Sequence, residues 1–259
     1  MSPVDLSCDH LSENDVFVRI AGCGVCHTDL GFLYEGIPTV KPFPLVLGHE
    51  ISGIVKAAGA KYSNLVGKAV IVPAVLPCGD CDLCKKGRSN ICRQQKMPGN
   101  HIEGGFASHI VVPGRYLCPV EVADENAQFG RSGVRLAELS VIADAVTTPF
   151  QAIKNAGLSK GDVTIFIGVG GVGGFGVQIA KALGATVIAI DINQKKLDAL
   201  ANYGADVTYN PQQLEAKALK NALRNFVREN NLSPFEWKIF ETSGSVAGQE
   251  LAFSLLTFG

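Results

Sequence analysis

The chain of 259 residues has almost no net charge: 23 lysines and arginines stand against 24 aspartates and glutamates, for a formal −1. Without a basic surplus there is no global footprint for nucleic acid or for an anionic membrane. The opening stretch, Met1–His10, lacks the basic, apolar and small-residue succession of an export signal and carries Asp5 and Asp9. A cytoplasmic protein is therefore expected. In that reducing setting the eight cysteines are not expected to form disulfides. Internal repeats and low-complexity tracts are also lacking. The most apolar stretch, residues 163–180, is interrupted repeatedly by glycine, which a membrane-spanning helix does not tolerate. What remains is a globular chain, 47% apolar and rich in turn-forming glycine (29 residues), long enough for one large or two ordinary domains.

The clearest pattern lies at Val163–Asp191. An apolar, β-branched run (Val163–Ile167) feeds the cluster Gly168-Val169-Gly170-Gly171-Val172-Gly173, a helical run follows to Leu183, and a second apolar run, Thr186–Ile190, ends in Asp191. Strand, glycine turn, helix, strand and acid in that order make a dinucleotide-binding βαβ unit. Gly168 allows the turn, Gly170 lets the backbone approach a pyrophosphate, and Gly173 lets the helix pack close to the strand. The helix N-terminus offers unpaired N–H groups to phosphate. Asp191 is placed to accept both ribose hydroxyls and to repel a 2′-phosphate, which favours NAD over NADP. A bare glycine turn would be weak evidence, but here the flanking elements agree.

Ahead of this unit the pattern is different. Asp15–Ala21, Ile51–Ala57, Lys68–Val72 and Phe106–Val112 read as short strands broken by Gly and Pro, which points to a barrel-type β domain. Gly22–Asp29 reads as a turn opening a short helix, and Pro38–Pro44 as an irregular loop. Leu136–Ile142 and Asp144–Ala156 read as helices that lead toward the second domain. Past Asp191, the expected elements are a helix at Lys195–Tyr203, a strand at Asp206–Tyr209, an amphipathic helix at Pro211–Asn231, a strand at Trp237–Phe240 and a helix from Gln249. Four parallel strands make only part of a doubly wound sheet, whose last strand would leave an open edge.

Two groups of residues suggest metal. Cys78, Cys81, Cys84 and Cys92 have the spacing C-x2-C-x2-C-x7-C. Four thiolates close a tetrahedral zinc site, and a lobe this small needs the metal to fold it. Scattered free thiols are the plain alternative, which the regular spacing disfavours. Lys85, Lys86, Arg88 and Arg93 in the lobe read as a solvated face, not a nucleic-acid ribbon. The second group is dispersed. Cys26 and His49 are a thiolate and an imidazole at the ends of strand-like runs; either alone could be a core residue. Glu50 could orient a ligand from behind. Asp144 sits in the apolar run Ile142-Ala143-Asp144-Ala145, where it either wants a cation or caps the following helix. A catalytic zinc needs three protein ligands and an open position.

With these pieces in view the chain resembles the zinc-dependent medium-chain alcohol dehydrogenase family. The resemblance rests on Gly22-x-Gly24-x-Cys26-His27-Thr28-Asp29, Gly48-His49-Glu50, the four-cysteine lobe and Gly168–Gly173. It implies an α/β fold class: a GroES-like β-barrel catalytic domain at 1–147 and a Rossmann (doubly wound parallel sheet) domain at 148–259, incomplete at its C-terminus, with the active site in the cleft between. It also implies two zinc ions. Cys26, His49 and Asp144 are then the catalytic-zinc ligands, although many members have Cys where Asp144 stands, and the lobe holds a structural zinc. Thr28 becomes the hydroxyl that takes the substrate proton, and His27 a pyrophosphate contact. Thr148 and Val172 touch the nicotinamide, Gly168, Gly170, Gly171 and Gly173 cradle the pyrophosphate, and Asp191 with Lys196 meets the adenosine ribose. Gly31 stands where several members have a histidine that relays the proton outward. The implied reaction is hydride transfer from a secondary alcohol to NAD by a homo-oligomeric enzyme. Four further segments, Met97–Asn100, Gly104–His109, Leu117–Val120 and Ala143–Phe150, resemble the branch of the family whose small-molecule substrate is a ring alcohol carried as a CoA thioester. Another alcohol or polyol substrate is the alternative. The family has an additional N-terminal strand and residues beyond position 259, so a fragment is expected, and a non-catalytic zinc- and nucleotide-binding chain is the reading from another class.

Overall fold

A computed structural model describes residues 11–121, 128–129 and 133–258; Met1–His10, on which the export reading rests, and Gly259 lie outside them. The chain divides into two compact units, Met1–Asp144 and Ala145–Gly259.

In the first unit, alternating Val16 and Val18 turn inward from strand β1 (Asp15–Gly24). Helix α1 (His27–Tyr34) follows, then strands β2 (Glu50–Ala58) and β3 (Ala69–Val72). A short helical turn, α2 (Asp82–Lys85), and a 3₁₀ turn, Ser89–Ile91, lie in the cysteine lobe. Strands β4 (His109–Pro113) and β5 (Cys118–Val120) complete an antiparallel sheet of order β4-β1-β2-β3-β5. Val16, Val18, Ile51, Val55, Val70, Val72, Ile110 and Val112 form its core. β6 (Gln128–Phe129) and β7 (Val134–Arg135) pair antiparallel.

The second unit opens with α3 (Thr147–Asn155) and strand β8 (Val163–Ile167), followed by α4 (Gly171–Ala182), β9 (Thr186–Ile190), α5 (Gln194–Ala201), β10 (Val207–Tyr209), α6 (Ala216–Glu229), β11 (Lys238–Glu241) and α7 (Val246–Ser254). The four strands are parallel in the order β10-β9-β8-β11. Because side chains alternate along a strand, the sheet has two apolar faces. Phe166, Val187 and Ala189 pack with Ile153, Val177, Ala180 and Leu197 on one; Ile165, Ile167, Ile188 and Ile190 pack with Leu219, Leu223 and Leu255 on the other. Helices on both faces of a parallel sheet make the doubly wound arrangement. Strand order reverses between β8 and β11, which puts a crevice at their carboxyl ends.

Several boundaries differ from the sequence reading. β1 continues through Gly22-Cys23-Gly24, with an irregularity between Ile20 and Gly22. Leu136–Ala143 is a 3₁₀ helix, not an α-helix. The next helix begins at Thr147, so Asp144, at φ −142° and ψ −63°, is outside it and is not its N-cap, which is Val146. α6 starts at Ala216, after a turn that Pro211 begins. α7 starts earlier than expected because the Ser245 hydroxyl accepts the Gly248 N–H at 3.0 Å, a strong N-cap. Among the described residues no helix is long and apolar enough to cross a membrane.

Candidate metal and dinucleotide sites

Strand pairing builds the dispersed cluster. In the β1–β2 register Gly24 lies opposite Glu50 and Cys23 opposite Ile51, so Cys26, just past β1, comes beside His49, just before β2. A Cβ on Gly24 would fall 2.1 Å from the Glu50 carboxylate, so a side chain there would displace the Glu50 carboxylate from its present place. Asp144 arrives from the far end of the unit. The 3₁₀ helix before it is tied to β2 by the Ser52 hydroxyl, which donates to the Leu136 carbonyl at 2.7 Å. Gly22 admits its backbone, since a Cβ there would meet the Ala137 carbonyl at 2.2 Å.

The result is a group in which one ligand atom each from Cys26, His49, Glu50 and Asp144 lies within 4.8 Å of the others. His49 Nε2 is 3.4 Å from Asp144 Oδ2, and Cys26 Sγ is 3.9 Å from the same oxygen. The Thr28 hydroxyl is 3.6 Å from Cys26 Sγ. His49 is fully buried, and although carboxylates stand 3.4 Å from both ring nitrogens, neither nitrogen has a hydrogen bond of acceptable geometry. Orphaned buried nitrogens are costly. Burial pushes the imidazole down, but Asp144, Asp29 and Cys26 outweigh it and lift His49 to about 11. The neighbouring His49 imidazole holds the Cys26 thiol below its ordinary value, against burial. Anions thus surround one imidazole, and thiolate, imidazole and carboxylate together suit zinc.

Asp29 is the residue the sequence reading missed as a site member. It is buried, 3% exposed. Its Oδ1 accepts the Gly48 N–H at 3.0 Å and lies 3.4 Å from His49 Nδ1, while its Oδ2 accepts the Cys26 N–H at 3.0 Å. One carboxylate therefore fixes both ligand-bearing loops and turns Nε2 toward the cluster, the role outer carboxylates play at metal sites. The available signal was an acid in the first turn of a helix opening directly after a candidate ligand. Cys23 is different: burial raises its thiol to about 12, and it packs as a neutral side chain beside Gly48.

The four lobe cysteines also bring one sulfur each within 4.8 Å of the others. Cys92–Cys78, Cys81–Cys92 and Cys78–Cys84 are separated by 3.6, 3.8 and 4.0 Å. A tetrahedron with Zn–S bonds of about 2.3 Å has edges of about 3.8 Å. The Asp80 and Cys81 N–H groups point at Cys78 Sγ from 3.5 and 3.4 Å and help pull that thiol down to about 6, whereas burial pushes Cys84 up to about 12. Four sulfurs this close cannot all ionise without a cation, so the donor set fits zinc. Arg115 ties the lobe down, donating to the Cys78 carbonyl at 3.3 Å and to Asp80 at 3.1 Å.

In the second unit a cavity of about 610 Å³ opens at the strand ends, lined by Gly168, Gly170, Asp191, Lys196, Thr242 and Ser243 among others. Gly168 has φ +83°, and a Cβ there would meet the Ser243 backbone at 2.4 Å. A Cβ on Gly173 would fall 2.0 Å from the Gly168 carbonyl, whereas one on Gly170 meets nothing closer than 3.9 Å. The Gly170 position is therefore an open cradle that a side chain would fill, which suits a bound pyrophosphate. Gly176, not singled out from sequence, is where helix and strand touch: its Cβ would meet the Phe166 ring at 2.3 Å. Asp191 braces the turn, accepting the Val169 N–H at 2.7 Å and the Asn193 N–H at 2.8 Å. Lys196 stands 4.0 Å from it, and the Thr242 hydroxyl donates to the Gly168 carbonyl at 2.5 Å. Gly171 and Val172 open α4. Thr148, exposed in the first turn of α3, is not among the residues lining the cavity. His27 is exposed and lies 3.6 Å from Glu35.

Comparison with known proteins agrees with both architectures. The model for the alcohol dehydrogenase GroES-like domain matches residues 12–122, and that for zinc-binding dehydrogenases matches residues 171–259. The chain is 35% identical over 208 residues to an alcohol dehydrogenase of Geobacillus stearothermophilus, covering 80% of this chain and 59% of that protein. It is 32% identical over 247 residues to galactitol 1-phosphate 5-dehydrogenase of Escherichia coli K12, covering 94% of this chain and 65% of that protein. The crystal structure of galactitol-1-phosphate dehydrogenase from Escherichia coli superposes with a TM-score of 0.84 at 29% identity, over 99% of this chain and 68% of that one. The chain thus spans about two thirds or less of the length of these relatives. With a GroES-like unit, a Rossmann-type unit and matches to both, the chain belongs to the zinc-dependent medium-chain alcohol dehydrogenase family.

Proposed function

We propose that the chain carries NAD-dependent dehydrogenase chemistry on a secondary alcohol, with one zinc held by Cys26, His49 and Asp144 and a second by Cys78, Cys81, Cys84 and Cys92. The observation that supports it most is the buried His49, whose unsatisfied Nε2 faces a thiol and a carboxylate drawn from distant parts of the chain. Bound zinc supplies Lewis acidity that lowers the pKa of a hydroxyl, and NAD supplies the hydride acceptor. The chain's own residues do the rest. Asp29 holds His49 and Cys26 in register. Thr28 takes the proton from the alcohol. Glu50 adds charge behind the ligands. Gly168, Gly170, Gly171 and Gly173 with Val172 seat the dinucleotide, and Asp191 with Lys196 meets its ribose. Thr148 and His27 complete the cofactor contacts. A homo-oligomer in the cytoplasm is part of the same reading.

For the substrate, the relatives' names point to simple alcohols or polyols. The resemblance of the segments Met97–Asn100, Gly104–His109, Leu117–Val120 and Ala143–Phe150 to one branch of the family favours instead 6-hydroxycyclohex-1-ene-1-carbonyl-CoA, oxidised to its 6-oxo product in anaerobic benzoyl-CoA degradation. The test is NADH formation with zinc-loaded protein against that thioester, galactitol 1-phosphate, xylitol and short secondary alcohols. Turnover of any of them that survives His49→Ala sinks the zinc reading. No turnover by a folded, NAD-binding, two-zinc protein selects the non-catalytic alternative.

A further inference from the structure

The segment that delivers His49 is held from outside as well as from within. Residues 99–106 lie along residues 40–48 and donate three main-chain hydrogen bonds to them: Gly104 to Val46, Gly105 to Gly48 and Phe106 to Leu47, at 2.8, 2.8 and 2.9 Å. Approach this close requires glycine, since a Cβ on Gly104 would sit 2.5 Å from the Leu47 and Gly48 carbonyls and one on Gly99 2.8 Å from the Gly48 nitrogen. In return Lys41 donates its N–H to the Asn100 carbonyl at 2.8 Å, and Val40 to the Asn100 side chain at 2.8 Å. One acid closes the arrangement. Glu103, 17% exposed, accepts the Val46 N–H through Oε2 at 2.8 Å and binds the Lys41 ammonium through Oε1. Burial opposes the Glu103 charge, but Lys41 and Val46 outweigh it and keep the carboxyl below its ordinary range.

We propose that Glu103 is a positioning residue for the His49 site: by joining Lys41 to the Val46 N–H it locks the strap of residues 99–106 onto residues 46–48 and thereby fixes where the His49 imidazole stands. It touches none of the ligand atoms and acts through main chain alone. The inference rests on the zinc reading of the Cys26–His49–Asp144 cluster given above. A carboxylate hydrogen bond is shorter and stronger than a neutral one, and small errors in ligand placement have large effects on a metal site.

The experiment is chelator-driven zinc release from the two-zinc chain, followed with a colorimetric chelator. Two phases are expected, one from each cluster. Glu103→Ala should speed the phase that His49→Ala abolishes by about tenfold or more, and leave the cysteine-lobe phase unchanged. Glu103→Gln, whose amide oxygen still accepts the Val46 N–H but which loses the ion pair with Lys41, should fall between the Glu103→Ala rate and the original one, matching Lys41→Met within about threefold. If Glu103→Ala does not fold, Lys41→Met should still speed that phase, and an unchanged rate overturns the proposal. It is equally overturned if both phases quicken together, which is general loosening. If His49→Ala keeps both phases, it is the zinc reading of the cluster that fails.

Discussion

The two candidate metal clusters of the first unit use similar donor chemistry at opposite distances along the chain. The lobe's four sulfurs come from residues 78–92, with only an α-helical turn, Asp82–Lys85, and a 3₁₀ turn, Ser89–Ile91, between them. The Cys26–Asp144 contact joins residues 118 positions apart. The lobe has little apolar interior: Cys81 and Cys84 are half-buried, and none of the residues 82–85 is buried. On the proposed reading its shape would depend on the zinc its sulfurs hold. The other cluster sits on a packed sheet, with His49, Glu50 and Asp29 at 0, 4 and 3% exposure, so its ligands are already arranged by the core. On the zinc reading proposed above, one site would be folded by its metal and the other folded for it.

That contrast can be broken most forcefully at the lobe. Cys81→Ser should abolish one zinc equivalent and expose residues 78–92 to limited proteolysis, because metal binding of this kind is worth on the order of 10 kcal/mol. Elemental analysis and the cleavage pattern check it; an intact, protease-resistant lobe would show that it folds without metal. Next in size, His49→Ala should lower NAD-linked turnover by about a thousandfold or more, as expected when Lewis acidity worth several kcal/mol is lost. The lobe's zinc and NAD binding should persist, read by elemental analysis and by quenching of the Trp237 fluorescence or by calorimetry.

Two smaller effects sharpen the comparison. In the dinucleotide turn, Gly173→Ala pushes a methyl to 2.0 Å from the Gly168 carbonyl and should lower the melting free energy by about 1–3 kcal/mol. Gly170→Ala meets nothing of the protein within 3.9 Å, so it should leave stability alone and weaken NAD instead. Smallest is a pH effect at the strap. The Glu103 pKa is depressed in the fold, so the stability it contributes is present above about pH 4.5 and is lost as the pH falls through its lower folded value. Thermal melts of the metal-free protein between pH 6 and 3.5 should show this, and Glu103→Gln should flatten the slope.

How much could be read in advance follows the same division. The lobe spacing, the strand at Val163–Ile167, the glycine turn and Asp191 are short-range patterns, and each lies where the pattern put it. The span of the helix at Leu136–Ala143 was legible but its type was not, because packing on β1 and β2 tightened it into a 3₁₀ helix. Asp144 was ambiguous between cap and ligand in sequence; the structure removes the cap, because the following helix is capped by Val146 two residues later, and the ligand role stays with the proposal. The bracing roles of Asp29, Thr242 and Glu103 carry no local signature, since each depends on a main-chain group from another segment.

By itself the sequence determined the two-part architecture, the cysteine set and the dinucleotide turn, because spacing and periodicity act over a few residues and need no partner. Tertiary structure alone decided that Cys26, His49, Glu50 and Asp144 meet. Their approach is the product of β1–β2 register and of the 3₁₀ helix packed across it. The physical reason is that a ligand's position is set by the backbone hydrogen bonds of the strands that carry it, and those are chosen by the core as a whole.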